Sequence, residues 1–350
     1  MKHPYLFLAL SSLALTACSG GGGSEELGFE SLNWEIPVAS VVDGGPGKDG
    51  IPSIDMPIYV EAASGDVEPD DLVVGIVDAN GARALPHDIL DYHEVVNDQI
   101  DGAPAVLSYC PLTGSALLWM TEPSGNREFG VSGLLYLSNL ILYDRDTDSH
   151  WSQMIGRVVE GPRRNEVAAA AQIVETTWAT WQSMYPDTFV LSRDTGHLRN
   201  YDAYPYADFR TSTDIFFGAP RDSRMHEKTR ILGVRNNGAE RAYPIPDFGE
   251  NISLIEESLG GENIVAVGSE ALNFAVAYSR ELPDSTSLTF TPLQNNLPGV
   301  MMDNEGTIWD VFGVGIAGPR TGEQLPRTDS YIAYWFAWAA FHPDTEISGL

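Results

Sequence analysis

Five residues in two neighbouring stretches have side chains that could take part in chemistry. His93, Glu94, Asn97 and Asp98 lie in YHEVVND, and Cys110 follows in LSYCPLTGSA. A thiol becomes a nucleophile when a histidine removes its proton and a carboxylate or amide orients the imidazole. A thiolate and an imidazole are also ligands that copper and zinc accept. The two stretches therefore define one candidate site and leave both kinds of chemistry open.

The leading hypothesis is a metal site. Two ligands are too few, so Met154 and His342 are added as residues that the fold would have to bring to Cys110 and His93. Copper is preferred to zinc, because a thiolate combined with imidazole and thioether ligands suits Cu(I). The spacing between His93 and Cys110 matches no standard ligand pattern.

Two alternatives use the same residues differently. In the first, Cys110 and His93, assisted by Glu94, Asn97 and Asp98, form a nucleophilic enzyme that acts on a small ester, amide or thiol. In the second, Cys110 is a small buried hydrophobe, because free cysteine is among the residues most often buried. The protein would then be a binding module for a glycan or another envelope protein, with aromatic residues on its surface.

The N-terminus predicts export and a lipid anchor. A basic Lys2 precedes an apolar run that is too short for a mature membrane helix, which is typical of a secretory signal peptide. The run ends in LTAC, which resembles the lipobox of bacterial lipoproteins. That resemblance implies removal of residues 1–17 and lipidation of Cys18, followed by a flexible Gly/Ser tether over 18–33. We expect an envelope protein held in the outer membrane, facing the periplasm or the cell surface.

The charge balance excludes one class of partner. The chain has 20 Lys and Arg against 49 Asp and Glu, a formal net charge of −29. Such a chain repels phosphate backbones, so nucleic-acid binding is not expected. The expected partners are the membrane, through the anchor, and an unidentified small ligand, glycan or envelope protein.

The sequence repeats itself at a distance of 157 or 158 residues. Gly75, Arg83 and Pro86 recur as Gly233, Arg241 and Pro244, and the tryptophans of TTWATW recur in AYWFAW. A constant shift over separate segments indicates an internal duplication. We therefore predict a first repeat over 50–190, a connecting polar region over 191–229 and a second repeat over 230–350, related by a pseudo-twofold axis.

Local patterns predict a predominantly β fold of the α+β class. DLVVGIVDANGARALP is a strand, an Asn-Gly turn and a return strand, which is a strong hairpin signal. WATWQSMY, capped by Thr176-Thr177, predicts a short helix, and so does ISLIEESLG, which ends on Gly260. DILDYHEVVND predicts a helical turn. The tryptophans three residues apart share one helical face, as core anchors or as a platform for a sugar.

The chain resembles a bacterial family known as domain of unknown function 3179 over roughly residues 50 to 347. The resemblance rests on RALPHDILDYHEVVND, YCPLTGSALLW, GVSGLLYLSNLILYDRDTDSHWSQ and WFAWAAFHPDTE. It marks His93, Glu94 and Cys110 as motif positions, and it implies no activity. In that family the pattern often reads Cys-Pro-Leu-Cys, whereas this chain has Thr113 at the last position. A dithiol is therefore absent, which argues against disulfide exchange.

Overall fold

Strands predominate in the structure, a computed structural model that describes residues 33–121 and 127–349. The described residues belong to one compact unit. The predicted β-rich fold is confirmed. The signal peptide, Cys18 and nearly all of the tether lie outside the described residues. The described part of the chain contains three seven-residue α-helices: α1 (His87–His93), α2 (Trp178–Met184) and α3 (Trp335–Phe341). It contains no helix long and apolar enough to span a membrane.

The first half has strands in three sheets. In chain order these strands are β1 (Val41–Asp43), β2 (Tyr59–Glu61), β3 (Leu72–Asp78), β4 (Gly81–Pro86), β5 (Val95–Ile100), β6 (Ala103–Cys110), β7 (Ser115–Met120), β8 (Phe129–Tyr136), β9 (Asn139–Asp144), β10 (His150–Ser152), β11 (Arg157–Glu160), β12 (Ala169–Ala171), β13 (Val174–Thr177) and β14 (Phe189–Leu191). The sheet orders are β13-β3-β4-β14-β2, β12-β7-β6-β5 and β1-β8-β9-β10-β11.

The second half has a similar set of strands. They are β15 (Arg230–Asn236), β16 (Ala239–Pro244), β17 (Ser253–Leu259), β18 (Glu262–Ser269), β19 (Phe274–Ser279), β20 (Phe290–Pro292), β21 (Gly299–Asp303), β22 (Ile308–Asp310), β23 (Gly315–Ala317), β24 (Asp329–Tyr334) and β25 (Glu346–Ile347). The sheet orders are β24-β15-β16-β25, β17-β18-β19 and β20-β21-β22-β23.

Much of the order of elements is shared by the two halves, although β1, β2 and β12 have no counterpart among the described strands of the second half. Each half contains an early hairpin, β3-β4 or β15-β16, whose second strand pairs in parallel with the short strand that follows the late helix. A meander of three strands comes next in both, and a further set of short antiparallel strands follows. This agreement is what a duplication would produce. The pseudo-twofold axis and the boundaries 50–190, 191–229 and 230–350 stay predictions.

The repeated tryptophans lie in the core. Trp181 of α2 is fully buried, and its Nε1 donates to the Thr188 hydroxyl at 2.9 Å. Its ring lies flat against Gly75 of β3, where an added Cβ would be 2.1 Å from the ring. Trp338 and Gly233 make the same contact, with a distance of 2.2 Å. These tryptophans are therefore core anchors, and they are not available to stack on a sugar.

The predicted helix in ISLIEESLG is wrong. The segment is β17, which pairs along its whole length with β18 through the tight turn at Gly260-Gly261. Two acidic side chains of this strand form ion pairs with arginines. Glu257 pairs with Arg241, and Glu256 pairs with Arg280 at 3.1 Å. Tertiary pairing outweighed the local helical preference of the glutamates. The predicted helix at α2 is confirmed, with Thr177 as its N-cap.

One hydrophobic core joins the two halves. It combines Trp119 and Trp151 from the first half with Ile231 and Trp335 from the second. Cys110 and Met154 belong to the same core. Because burial of apolar area is the main favourable term in folding, this shared core stabilises the two halves together.

Candidate functional site

Glu94 occupies the turn that joins helix α1 to strand β5. The helix ends because Glu94 adopts a left-handed conformation, with φ 58° and ψ −27°, while its N–H still donates to the Leu90 carbonyl. Glycine or asparagine usually takes this position, because a β-carbon is strained there. The Glu94 carbonyl then accepts from the Tyr109 N–H at 2.7 Å, which starts the pairing of β5 with β6.

Glu94 lines an apolar cavity of about 210 Å³, which we call the Glu94 cavity. Glu94 is 5% exposed. The cavity is lined by apolar side chains from the N-terminal segment, the β6-β7 turn, strand β8, the start of β9 and the connecting region, among them Ile51, Leu112, Leu135, Leu140 and Phe217. An apolar concave site with few polar groups is the usual form of a small-molecule site.

The carboxyl of Glu94 is neutralised by its surroundings. Burial raises its pKa to about 8, and the nearby Asp91 adds to the rise. The Tyr206 hydroxyl donates to Glu94 Oε1 at 3.4 Å and opposes the shift. At neutral pH the protonated form therefore predominates. A protonated carboxyl in an apolar pocket can donate a hydrogen bond or a proton.

Cys110 lies at the end of β6 and is sealed from solvent. It is 1% exposed, and its Sγ lies 3.7 Å from the Ser138 carbonyl oxygen, to which the S–H donates. Burial raises the pKa of the thiol to about 11, with a further contribution from Glu94. Because the thiolate is the nucleophile in covalent catalysis, the protonated, solvent-sealed form of Cys110 is not an activated nucleophile.

His93 is held away from this thiol by its own hydrogen bonds. Its Nδ1 lies 2.8 Å from the Pro52 carbonyl oxygen, which can only accept, so Nδ1 carries the proton. Its Nε2 therefore accepts from the Tyr201 hydroxyl at 2.7 Å. Burial lowers the pKa of His93 to about 4, so the ring is neutral at pH 7. Both ring nitrogens are occupied, and the described residues show no contact between His93 and Cys110.

Asn97 and Asp98 tie strands together. The Asn97 side chain donates to Asp55 at 2.7 Å and to the Phe129 carbonyl at 2.9 Å, and it accepts from the Phe129 N–H. Asp98 accepts from the Tyr59 hydroxyl at 2.7 Å and from Arg83 at 2.9 Å. These contacts give both residues structural roles, so neither is left to orient an imidazole.

The remaining predicted metal ligands are also engaged elsewhere. Met154 is fully buried in the shared core. His342 Nδ1 lies 2.8 Å from Glu240, and its ring packs on Trp338 with centroids 4.0 Å apart. Across residues 33–121 and 127–349, no group of three or more His, Cys, Asp or Glu side chains is arranged to hold a metal ion. Cys110 and Met154 lie in the same core, and the Tyr331 hydroxyl lies 3.4 Å from both the Met154 carbonyl oxygen and His342 Nε2. Copper or zinc binding stays a prediction from the sequence.

Two residues beside Glu94 were missed by the sequence reasoning. Asp91 lies on α1, three residues before Glu94, and Arg210 donates to it at 2.6 Å. Burial raises the pKa of Asp91 to about 7. Tyr206, which binds the Glu94 carboxyl, comes from the connecting region. The spacing of Asp91 and Glu94 could have been noticed, but nothing in the connecting region predicts that Tyr206 reaches the cavity.

A family model described as Protein of unknown function (DUF3179) matches residues 48–345. The match includes both halves and the five residues from which the candidate site was first assembled. No curated protein and no solved structure matches the sequence. The geometry of the Glu94 cavity is therefore the guide to function.

Proposed function

This chain belongs to the DUF3179 family, whose description assigns no function, and we propose that it binds a small, largely apolar molecule in the Glu94 cavity. The observation that carries the proposal is a buried carboxyl, with Tyr206 as its hydrogen-bond partner, facing an apolar space. Burying an ionisable group without a strong partner costs free energy. Such a group inside a concave site is a functional candidate.

The volume of the cavity suits a small ligand. An apolar cavity of about 150 Å³ accommodates benzene, so about 210 Å³ is enough for a substituted aromatic ring or a short branched alkyl group. The lining side chains Leu112, Val131, Leu135, Leu140 and Phe217 would supply dispersion contacts around such a molecule. Glu94 would fix its orientation.

The backbone at Glu94 supports the same proposal. A non-glycine residue with φ 58° is strained, and strained residues concentrate at binding and catalytic sites. Here the strained residue stands at the point where α1 passes into β5, and it lines the cavity.

The proposal includes an envelope location. The features that support it are the apolar N-terminal segment, LTAC and the Gly/Ser tether before residue 33. Lipidation of Cys18 would hold the binding half close to the membrane surface. A site beside a membrane would meet small apolar molecules at raised local concentration.

Calorimetric titration of the purified chain with ethylbenzene tests the proposed binding. We expect saturable binding by the wild type and at least tenfold weaker binding by Leu112→Phe, whose larger ring would fill part of the cavity. Leu198→Phe is the matched control, because Leu198 is 99% exposed and lies outside the cavity. Leu135→Phe provides a second filling variant, and circular dichroism checks that each variant is folded. Equal binding by the folded filling variants, or no binding by the wild type, would contradict the proposal.

A further inference from the structure

The lining of the Glu94 cavity carries little charge. Among the described lining residues, the ionisable side chains are Glu94 and Tyr206, and no Lys, Arg or His is present. Burial raises the pKa of Tyr206 above its usual range, so the phenol keeps its proton. A carboxylate or phosphate ligand would meet no positive charge there and would be desolvated beside an acid. Anionic ligands are therefore disfavoured.

An ammonium ligand is disfavoured by the count of hydrogen bonds. It brings at least two N–H donors, and often three, whereas the side chains of the lining offer the Glu94 carboxyl and the Tyr206 hydroxyl as acceptors. The Tyr206 hydroxyl already interacts with Glu94. For an ammonium to pair with a carboxylate here, Glu94 would first have to release its proton to solvent. Donors left without partners in an apolar space cost free energy.

A neutral acceptor matches the groups that are present. In the arrangement in which Tyr206 donates to Oε1 of Glu94, the neutral carboxyl carries its proton on Oε2. Oε2 has no hydrogen-bond partner among the described residues, which leaves its O–H available to a ligand. A carbonyl oxygen accepts one such bond and needs no counter-charge.

The second half offers a comparison at the same sheet position. Glu94 lies opposite Tyr109 at the start of β5-β6, and Ser253 lies opposite Gly268 at the start of β17-β18. The Ser253 hydroxyl donates to the Phe248 carbonyl at 2.8 Å. A short neutral side chain, satisfied by backbone, therefore occupies this position in the second half. The carboxyl donor is a feature of the first half.

We infer that the ligand of the Glu94 cavity is a neutral molecule with an apolar body and one carbonyl oxygen, which accepts a hydrogen bond from the Glu94 carboxyl. This inference rests on the proposed binding function. The class includes small aryl and alkyl ketones, aldehydes and amides, and it excludes carboxylates and protonated amines.

Four probes of similar shape test the inference by calorimetric titration. Acetophenone carries the carbonyl, and α-methylstyrene replaces that oxygen by a CH₂ group. Protonated 1-phenylethylamine and benzoate supply the two charges. At pH 7 the wild type should bind acetophenone about tenfold more tightly than α-methylstyrene, as expected for one hydrogen bond. Both charged probes should bind at least about tenfold more weakly than acetophenone.

Substitutions of Glu94 separate the donor from the cavity. Glu94→Met removes the donor and keeps an unbranched side chain, so the preference for acetophenone should disappear while α-methylstyrene still binds. Glu94→Gln keeps an N–H donor and should retain the preference. Glu270→Met, on the exposed surface, is the control and should behave as the wild type.

The outcomes distinguish the two proposals. If protonated 1-phenylethylamine or benzoate binds as tightly as acetophenone, or if the preference for acetophenone persists in Glu94→Met, the inferred ligand class is overturned while the apolar binding site stands. If the wild type binds α-methylstyrene and acetophenone equally, the hydrogen bond is overturned. If none of the four probes binds, both the ligand class and the proposed function fail.

Discussion

Replacing Glu94 by glutamine should make the protein more stable than the wild type, by an amount that grows as the pH rises. Glutamine has the size of glutamate and no charge, so the substitution isolates the cost of ionising this buried group. The pKa of Glu94 is about 8 in the folded chain, against an ordinary value of 4.5. Between those values the folded state holds a proton that the unfolded state has released. The free energy of unfolding of the wild type therefore falls as the pH rises through this window.

The size of the effect follows from the same two values. Each unit of pKa difference corresponds to about 1.4 kcal/mol, and 8 − 4.5 gives 3.5 units. Relative to pH 4.5, the penalty is about 3 kcal/mol at pH 7 and approaches about 4 kcal/mol at pH 9. Water that enters the cavity would reduce these values, so they are upper limits. Glu94→Gln has no carboxyl to ionise, so its free energy of unfolding should exceed that of the wild type by an amount that grows in the same way.

Urea unfolding followed by tryptophan fluorescence, from pH 4.5 to pH 9, measures the difference. Asp91 also has a raised pKa, about 7, but it is present in both proteins, so most of its contribution cancels in the comparison. Glu270→Gln removes an exposed carboxyl and should differ from the wild type by a constant amount. If the difference between Glu94→Gln and the wild type is equally constant over this range, Glu94 is ionised and hydrated in the folded chain. The description of Glu94 as a neutral carboxyl in an apolar cavity would then be wrong.

Three further predictions concern other parts of the chain. Gly75→Ala should lower the free energy of unfolding by about 1–3 kcal/mol, because the new methyl group would meet the Trp181 ring at 2.1 Å. The control in the same urea experiment is Gly218→Ala, whose methyl group would meet nothing within 4 Å. Cys110 should resist alkylation by N-ethylmaleimide at pH 8 until urea unfolds the chain, because the thiol is buried and protonated. Mass spectrometry measures the labelling, and rapid labelling of Cys110 in the native protein would contradict its burial. Cys18→Ser should abolish incorporation of radiolabelled palmitate in producing bacteria, whereas Cys110→Ser should retain it.

The sheet architecture could be predicted from the sequence because its signals are local. The hairpin β3-β4 follows from the two apolar runs on either side of Asn80-Gly81, and α2 follows from the Thr177 cap and its apolar face. The segment of β17 misled the prediction, because its glutamates favour a helix in isolation. What fixes it as a strand is pairing with β18, which depends on residues further along the chain.

The neighbourhood of the site could also be predicted, but not the residue at its centre. His93 and Cys110 were chosen for their chemistry, and both lie close to the cavity in the chain. The left-handed turn at Glu94 decides which side chain faces the apolar space, and no sequence pattern announced that turn. Tyr206 and Phe217 reach the cavity from the connecting region, where no hydrophobic periodicity exists to predict their direction.

The cost of Glu94 argues that the carboxyl serves binding rather than folding. At the equivalent sheet position in the second half, Ser253 is satisfied by a backbone carbonyl and introduces no buried charge. A three-stranded meander of this kind can therefore begin without an acid at this position. Glu94 adds a strained backbone and a free-energy cost of ionisation. Its side chain makes a single long hydrogen bond, to Tyr206 at 3.4 Å, which compensates little of that cost. A ligand that accepts a short hydrogen bond from the Glu94 carboxyl would stabilise the folded chain and so offset part of the free energy that Glu94 costs.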